Sequence, residues 1–242
     1  MLKNILRKAL ELQPRTAPFL HTLRDQLWLP LKYILSRHRL LPTLDLIRYL
    51  PECLNWLRHG ACGIAPPPIK RWVIASYLNR FRLVTFVETG TYLGDTLALV
   101  AQSVHYQCIS IELDSACYRE VHRRFADYPN VRLLQGDSGA LMPNVITDLR
   151  QPALFWLDGH YSGGITAKGD LETPVIAELQ AIFASQIQGH VILIDDVRCF
   201  DGTHDYPYLD ELLAIIRTDG RYRAEVSADI LRLTPVSANS NN

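Results

Sequence analysis

The stretch from Val84 to Glu112 constrains the fold of this chain more than any other. LVTFVE is an apolar run of strand length, TGTYLGD a turn with two glycines, TLALVAQSV a helical segment and CISIE a second strand. Strand, glycine turn, helix and strand in that order make a βαβ unit. In such a unit the turn aims backbone N–H groups and a helix N-terminus at one spot on the carboxyl edge of the sheet, where a nucleotide-like ligand can be held. Glu112 lies 22 residues after Gly90, at the tip of the second strand. A carboxylate there can accept hydrogen bonds from both hydroxyls of a ribose.

The turn discriminates between ligands. A dinucleotide fingerprint, G-x-G-x-x-G, needs its middle glycine so that backbone can approach a pyrophosphate. Here the spacing is E-x-G-x-x-x-G, with Glu88 ahead of Gly90 and Gly94. An acid beside the turn opposes a pyrophosphate and suits a cationic ligand, such as the ammonium and sulfonium of S-adenosylmethionine. The plainer alternative is a βα turn whose glycines serve geometry alone.

With 48% hydrophobic and 21% charged residues among 242, the chain suits one α/β domain plus an appendage. Its five cysteines include no CxxC pair, which suggests neither a disulfide framework nor a zinc site and fits a reducing cytoplasm. No signal peptide and no run of 18 apolar residues is visible. Charge is unevenly spread. Residues 1–60 hold ten Lys and Arg against four Asp and Glu, and the remainder fifteen against twenty-one.

Residues 1–62 show helical spacing of Leu, Ile and Trp broken at Pro14, Pro30, Pro42 and Pro51, which predicts a helical extension or cap. Its basic amphipathic segments are expected to pack on the rest of the protein or on a second subunit, with contact to an anionic membrane as the alternative. GIAPPPIKR, residues 63–71, is expected to be a stiff proline linker, and residues 72–242 the main domain. There the segments alternate. KRWVIASYLNRFR is a lead-in helix, and DSACYREVHRRFADYP a helix with Asp114 as N-cap. VRLLQGD is a third strand, ALFWLDGHYSGG a fourth strand and its loop, and ETPVIAELQAIFASQI a helix. HVILIDDVRCF is a fifth strand. A helix from Tyr208 to about Thr218 precedes two strands in a hairpin. The expected fold is Rossmann-like: a doubly wound, mostly parallel seven-stranded sheet closed by an antiparallel hairpin.

Acids end the strands. Glu88, Glu112, Asp137, Asp158 and the pair Asp195–Asp196 each terminate an apolar run, so five strands bring carboxylates to one rim. Crowded carboxylates raise one another's pKa unless a cation is present. Asp158, Asp195 and Asp196 together suit Mg²⁺, which prefers hard oxygen ligands; the alternative is that each acid caps the loop or helix that follows it. At the third strand Asp137 is placed to accept from an adenine amino group while Ser138 caps the next helix, or the two form a helix cap without a ligand.

These motifs resemble the class I S-adenosylmethionine-dependent methyltransferases, and among them the metal-dependent sugar O-methyltransferases of the macrocin type. The resemblance covers roughly Val84 to Phe200. VETGTYLGDT matches the E-x-G-x-x-x-G-x-[ST] cofactor loop, Glu112 the ribose acid, GDS at 136–138 the adenine-side segment, LDGHYSGG the I-D-G-D segment, and IDD at 194–196 the paired metal acids. The resemblance implies cofactor contacts from Glu88, Gly90, Thr91, Tyr92, Gly94, Thr96, Glu112, Asp137, Ser138 and Asp158. It also implies a Mg²⁺ site at Asp158, Asp195 and Asp196. The family's general base is the second aspartate of I-D-G-D, and here that position is His160. An imidazole with an ordinary pKa near 6.5 is suited to take a proton from an activated hydroxyl at neutral pH, with Asp196 as the other candidate base. The implied activity is methyl transfer from S-adenosylmethionine to a hydroxyl of a small molecule, of sugar or natural-product type. Tyr161, Ser162, Gly163 and Gly164 would shape a loop over the substrate, with Lys168, Arg198 and His204 as polar contacts. Nucleic acid is not an expected partner, whereas a homo-oligomer is compatible with the chain. Two rival readings are a nicotinamide-dependent oxidoreductase on the same architecture and a non-catalytic binding or scaffold protein that uses its basic N-terminal helices.

Overall fold

The structure, a computed structural model, describes residues 47–159 and 173–236. Seven strands form one sheet: β1 (Thr85–Thr89), β2 (Gln107–Glu112), β3 (Val131–Gln135), β4 (Ala153–Leu157), β5 (Val191–Ile194), β6 (Tyr222–Ser227) and β7 (Ile230–Pro235). The helices are α1 (Leu50–Arg58), α2 (Pro67–Arg80), α3 (Asp95–Ala101), α4 (Ser115–Arg124), α5 (Ser138–Asp148), α6 (Val175–Phe183) and α7 (Leu209–Asp219).

The strand order is β3-β2-β1-β4-β5-β7-β6. Strands β1 to β5 pair in parallel, while β7 runs antiparallel to both β5 and β6. The expected Rossmann-like sheet with its antiparallel closing hairpin is therefore present. The order reverses between β1 and β4, and a crevice at the carboxyl ends of the strands is expected at such a switch point.

Alternation along the strands builds two cores. Val87, Ile111, Phe155, Ile192 and Leu231 face one side, against Met142 and Val145 of α5, Leu179 and Ile182 of α6, and Leu212 and Ile216 of α7. Their neighbours Phe86, Cys108, Trp156, Leu193 and Ile230 face the other, against Ile74 and Leu78 of α2, Leu97 of α3 and Val121 of α4. Strands covered on both faces carry near-continuous apolar runs, as β4 and β5 do. Asp114 caps α4 as expected, accepting from the N–H groups of Ala116 at 2.8 Å and Cys117 at 2.7 Å.

Three segments differ from the sequence expectation. Ile69 to Arg71 lie inside α2, which opens at Pro67: proline has no N–H to lose at the first helical position and its φ is already helical. HVILIDDVRCF is strand only at Val191–Ile194; Asp196 turns left-handed (φ 57°, ψ 48°) and Val197–Cys199 form one 3₁₀ turn. Asp137, not Ser138, caps α5, its Oδ1 accepting from the N–H of Ala140 at 2.9 Å. Of the N-terminal extension, α1 and its flanks are described, and α1 buries only Cys53. Residues 1–46, where the other N-terminal helices are expected, lie outside the described residues, as do residues 160–172 and 237–242. Among the described residues no helix is long and apolar enough to cross a membrane.

Candidate active site

The turn after β1 fits only because it is glycine. Gly90 has φ +77°, and a Cβ there would stand 2.2 Å from the backbone oxygen of Asp158. The β1 turn thus crosses directly over the end of β4, in contact with Asp158. Gly94, φ +75°, is also closely packed, since a Cβ would stand 2.7 Å from the Phe125 ring. Between them Tyr92 takes φ +49° and sends its N–H to Glu112 Oε2 at 2.6 Å. Glu112 Oε1 accepts from the Asp114 N–H at 2.8 Å. Backbone on both sides therefore orients this carboxylate at the tip of β2. Arg124 of α4 holds the far end of the turn, donating to the Leu93 carbonyl and to Asp95 Oδ1, the latter at 2.9 Å. Thr96 follows Asp95 in the first turn of α3 and is half-buried.

Glu88 is 1% exposed. It sits opposite Ser110 in the β1–β2 ladder, and the Ser110 hydroxyl donates to Glu88 Oε2 at 2.6 Å. The Thr91 hydroxyl meets Ser110 Oγ at 2.6 Å and closes a buried polar chain of three. Burial pushes the Glu88 carboxyl up to about 8; the Ser110 hydrogen bond opposes the rise, and the charges of Asp158 and Glu112 add to it. A buried acid of this kind is a site where a cationic ligand is favoured, because the ligand relieves the desolvation of the carboxylate.

The second group of acids also converges. Asp158, Asp195 and Asp196 each present a carboxylate oxygen within 4.8 Å of the others. Asp158 donates its N–H to the backbone oxygen of Thr89 at 3.2 Å, and Asp195 donates its own to that of Leu157 at 3.0 Å, so the β1–β4–β5 ladder fixes both. The cation among them comes from α2, which carries no sequence signal for this site. Lys70 Nζ lies 2.6 Å from Asp195 Oδ2 and 3.1 Å from Asp196 Oδ1. Burial works against the Lys70 ammonium, but Asp195, Asp196 and Asp158 outweigh it and leave its pKa above the ordinary value. Arg198 is tied to the rim rather than facing a substrate: its Nη1 donates to Asp196 Oδ1 at 2.7 Å and to Asp229 Oδ2.

The fit of Mg²⁺ follows from this donor set. Type and proximity of the oxygens suit a hard divalent ion. The space between Asp195 and Asp196 is already taken: Lys70 donates to Asp195 Oδ2 and Asp196 Oδ1, while Asp195 Oδ1 accepts from the Asp196 N–H at 2.8 Å and Asp196 Oδ1 also accepts from Arg198. The arrangement fits one cation, and an ammonium fills that place. It does not fit a divalent ion beside Lys70.

The remaining expected residues are partly placed. Asp137 and Ser138 follow β3, and the Ser138 hydroxyl donates to Glu178 Oε1 of α6 at 2.6 Å. Glu178, 1% exposed, and Tyr206 were not singled out in the sequence; with Gly159, Thr173, Asp195 and Phe200 they line a small cavity between the tips of β4 and β5 and the start of α6. His204 is exposed in a turn at φ +53°. His160, Tyr161, Ser162, Gly163, Gly164 and Lys168 lie outside the described residues.

No protein-family model matches the chain, and no curated protein matches it in sequence. Solved structures do match. One is an O-methyltransferase from Bacillus cereus in complex with SAH: TM-score 0.51, 15% identity, 76% of this chain and 90% of that chain covered. Another is the SAH-bound methyltransferase PaMTH1 of Podospora anserina: TM-score 0.50, 17% identity, 78% of this chain and 88% of that chain covered. The chain has the class I methyltransferase fold. Within that fold the inserted antiparallel β7 distinguishes the sheet from the all-parallel 3-2-1-4-5-6 order of dinucleotide-binding domains.

Proposed function

We propose that the protein is an S-adenosylmethionine-dependent O-methyltransferase acting on a hydroxyl of a small molecule, of sugar or natural-product type. One observation carries the reading: a glycine turn that passes over Asp158 between two buried acids, Glu88 and Glu112, at the β1–β4 switch point. In this reading the ribose hydroxyls donate to Glu112, whose oxygens two backbone N–H groups already orient. Glu88 faces the cationic methionine end, with Gly90, Thr91, Tyr92, Gly94 and Thr96 forming the cradle. Asp137 and Ser138 border the adenine, and Asp158 lies beneath the donor.

The acceptor oxygen attacks the methyl carbon as the carbon–sulfur bond breaks, and that electron pair stays on sulfur. The hydroxyl proton leaves to His160 or Asp196 and from there to water. Most of the rate enhancement comes from holding the two reactants in line. Mg²⁺, which the family resemblance implies at Asp158, Asp195 and Asp196, has no step here, because Lys70 lies between Asp195 and Asp196 and Arg198 also holds Asp196. An oxidoreductase reading is disfavoured by the absent middle glycine and by an acid where a pyrophosphate would lie.

The test is formation of S-adenosylhomocysteine from S-adenosylmethionine over a panel of sugars, phenols and polyketides, with acceptor-free protein as the blank. Acceptor-dependent product supports the proposal. Tight NAD binding with no affinity for S-adenosylmethionine refutes it.

A further inference from the structure

The acid cluster needs a cation, and the route by which Lys70 reaches it is built into α2. Pro67 starts that helix abruptly, which places Lys70 in its first turn. Ile74 and Leu78 follow at i+4 and i+8, both within 2% of full burial against the sheet. Lys70 therefore belongs to the buried face of α2, one turn beyond its apolar anchors, and its side chain, 17% exposed, extends to the rim where β5 ends. Arg71, the next residue, stands 3.8 Å from Asp95 and ties the same helix to the glycine turn. Asp196 completes the site in a left-handed backbone conformation, which aspartate tolerates better than most side chains.

The ammonium stands where a divalent ion would stand. Mg²⁺ binds carboxylate oxygens at about 2.0–2.1 Å, and a nitrogen 2.6 Å and 3.1 Å from two of the three acids leaves no room for it. We propose that Lys70 is a built-in cation that takes the place of a divalent metal, so that methyl transfer in this protein is metal-independent. Its ammonium offsets one charge of the Asp158, Asp195 and Asp196 rim, as Arg198 offsets another at Asp196, and donates to the acceptor oxygen as charge develops there. This inference rests on the methyltransferase reading of the site, but its first readout does not.

That readout is Mn²⁺ binding by the full-length protein, followed by electron paramagnetic resonance. Mn²⁺ prefers the same oxygen ligands as Mg²⁺. The wild type is expected to show no bound Mn²⁺ at micromolar concentrations, and Lys70→Met to acquire one site, because the substitution frees Asp195 Oδ2 and removes the positive charge between Asp195 and Asp196. In turnover assays EDTA should leave wild-type S-adenosylhomocysteine formation unchanged, and Lys70→Met should slow it by about 10²-fold or more, the usual effect of losing one donor to a developing oxyanion. Lys70→Arg, which keeps the charge, should retain part of the rate and bind no Mn²⁺. Stoichiometric Mn²⁺ on the wild type, or activity abolished by EDTA and restored by Mg²⁺, overturns the proposal. So does Lys70→Met turning over at the wild-type rate. If Lys70→Met fails to fold, as circular dichroism will show, the wild-type Mn²⁺ and EDTA results decide alone. A protein that binds neither S-adenosylmethionine nor Mn²⁺ refutes the methyltransferase reading and leaves Lys70 as a structural counter-ion.

Discussion

Replacing Glu88 by Gln isolates the energetic consequence of burying an acid under the glycine turn. Burial holds the Glu88 carboxyl at about 8 against an ordinary 4.5. The folded state therefore binds this proton more tightly than the unfolded chain. The stability it confers is complete below pH 4.5 and is lost as pH rises through about 8. Between those two values, at about 1.4 kcal/mol for each pH unit, the loss comes to about 5 kcal/mol, most of it gone by pH 7. Glutamine keeps the volume and can still accept from the Ser110 hydroxyl, but it has no proton to lose. Urea unfolding of both proteins from pH 4 to pH 9 measures the difference directly, and other titrating groups cancel in the comparison. The Glu88→Gln variant is expected to gain on the wild type steadily across that range, by about 5 kcal/mol in all. A difference that stays flat would show that Glu88 is ionised and neutralised in the ligand-free protein, and the reasoning about its buried charge would fail.

Three further outcomes follow from the same geometry. Gly90→Ala forces a Cβ to within 2.2 Å of the Asp158 backbone oxygen at a positive φ; it should cost about 3 kcal/mol or more in thermal unfolding and abolish cofactor binding. His190, 1% exposed, accepts the Ala153 N–H at Nδ1 and is held down to about 4 by burial and by the charge of Arg221. Its contribution is full above pH 6.5 and falls by about 3 kcal/mol as pH drops toward 4, and His190→Asn should flatten that acid limb in denaturant titrations. Asn130 donates through Nδ2 to the carbonyls of Ala101, Ser103 and Tyr106, so Asn130→Ala should destabilise by about 2–3 kcal/mol in the same assay without changing cofactor affinity.

What could be read from the sequence was local. The glycine turn, the Asp114 cap and the apolar strands each carry their signal within a few residues, and alternation of strands with helices then determines a parallel sheet. The convergence of Asp158 with Asp195 and Asp196 was legible for the same reason: parallel strands put their carboxyl ends on one edge. Lys70 was not legible, because its partner Asp195 is 125 positions away and nothing near PPPIKR points to it. The prolines themselves misled, since three in a row suit an extended linker as well as a helix start. Val197 and Cys199 have strand-like side chains, and only the left-handed turn at Asp196 shows that the strand has ended. The polar chain Glu88–Ser110–Thr91 needed the β1–β2 register, which pattern alone does not supply.

Isothermal titration of the full-length protein with S-adenosylmethionine, S-adenosylhomocysteine and NAD, in buffer containing EDTA, is the most direct measurement. Saturable one-site binding of both adenosyl ligands without added metal, and no heat with NAD, is the expected result. Binding of NAD alone, or no binding of any of the three, would contradict the assignment of the Glu88–Gly90–Glu112 crevice as a methyl-donor site.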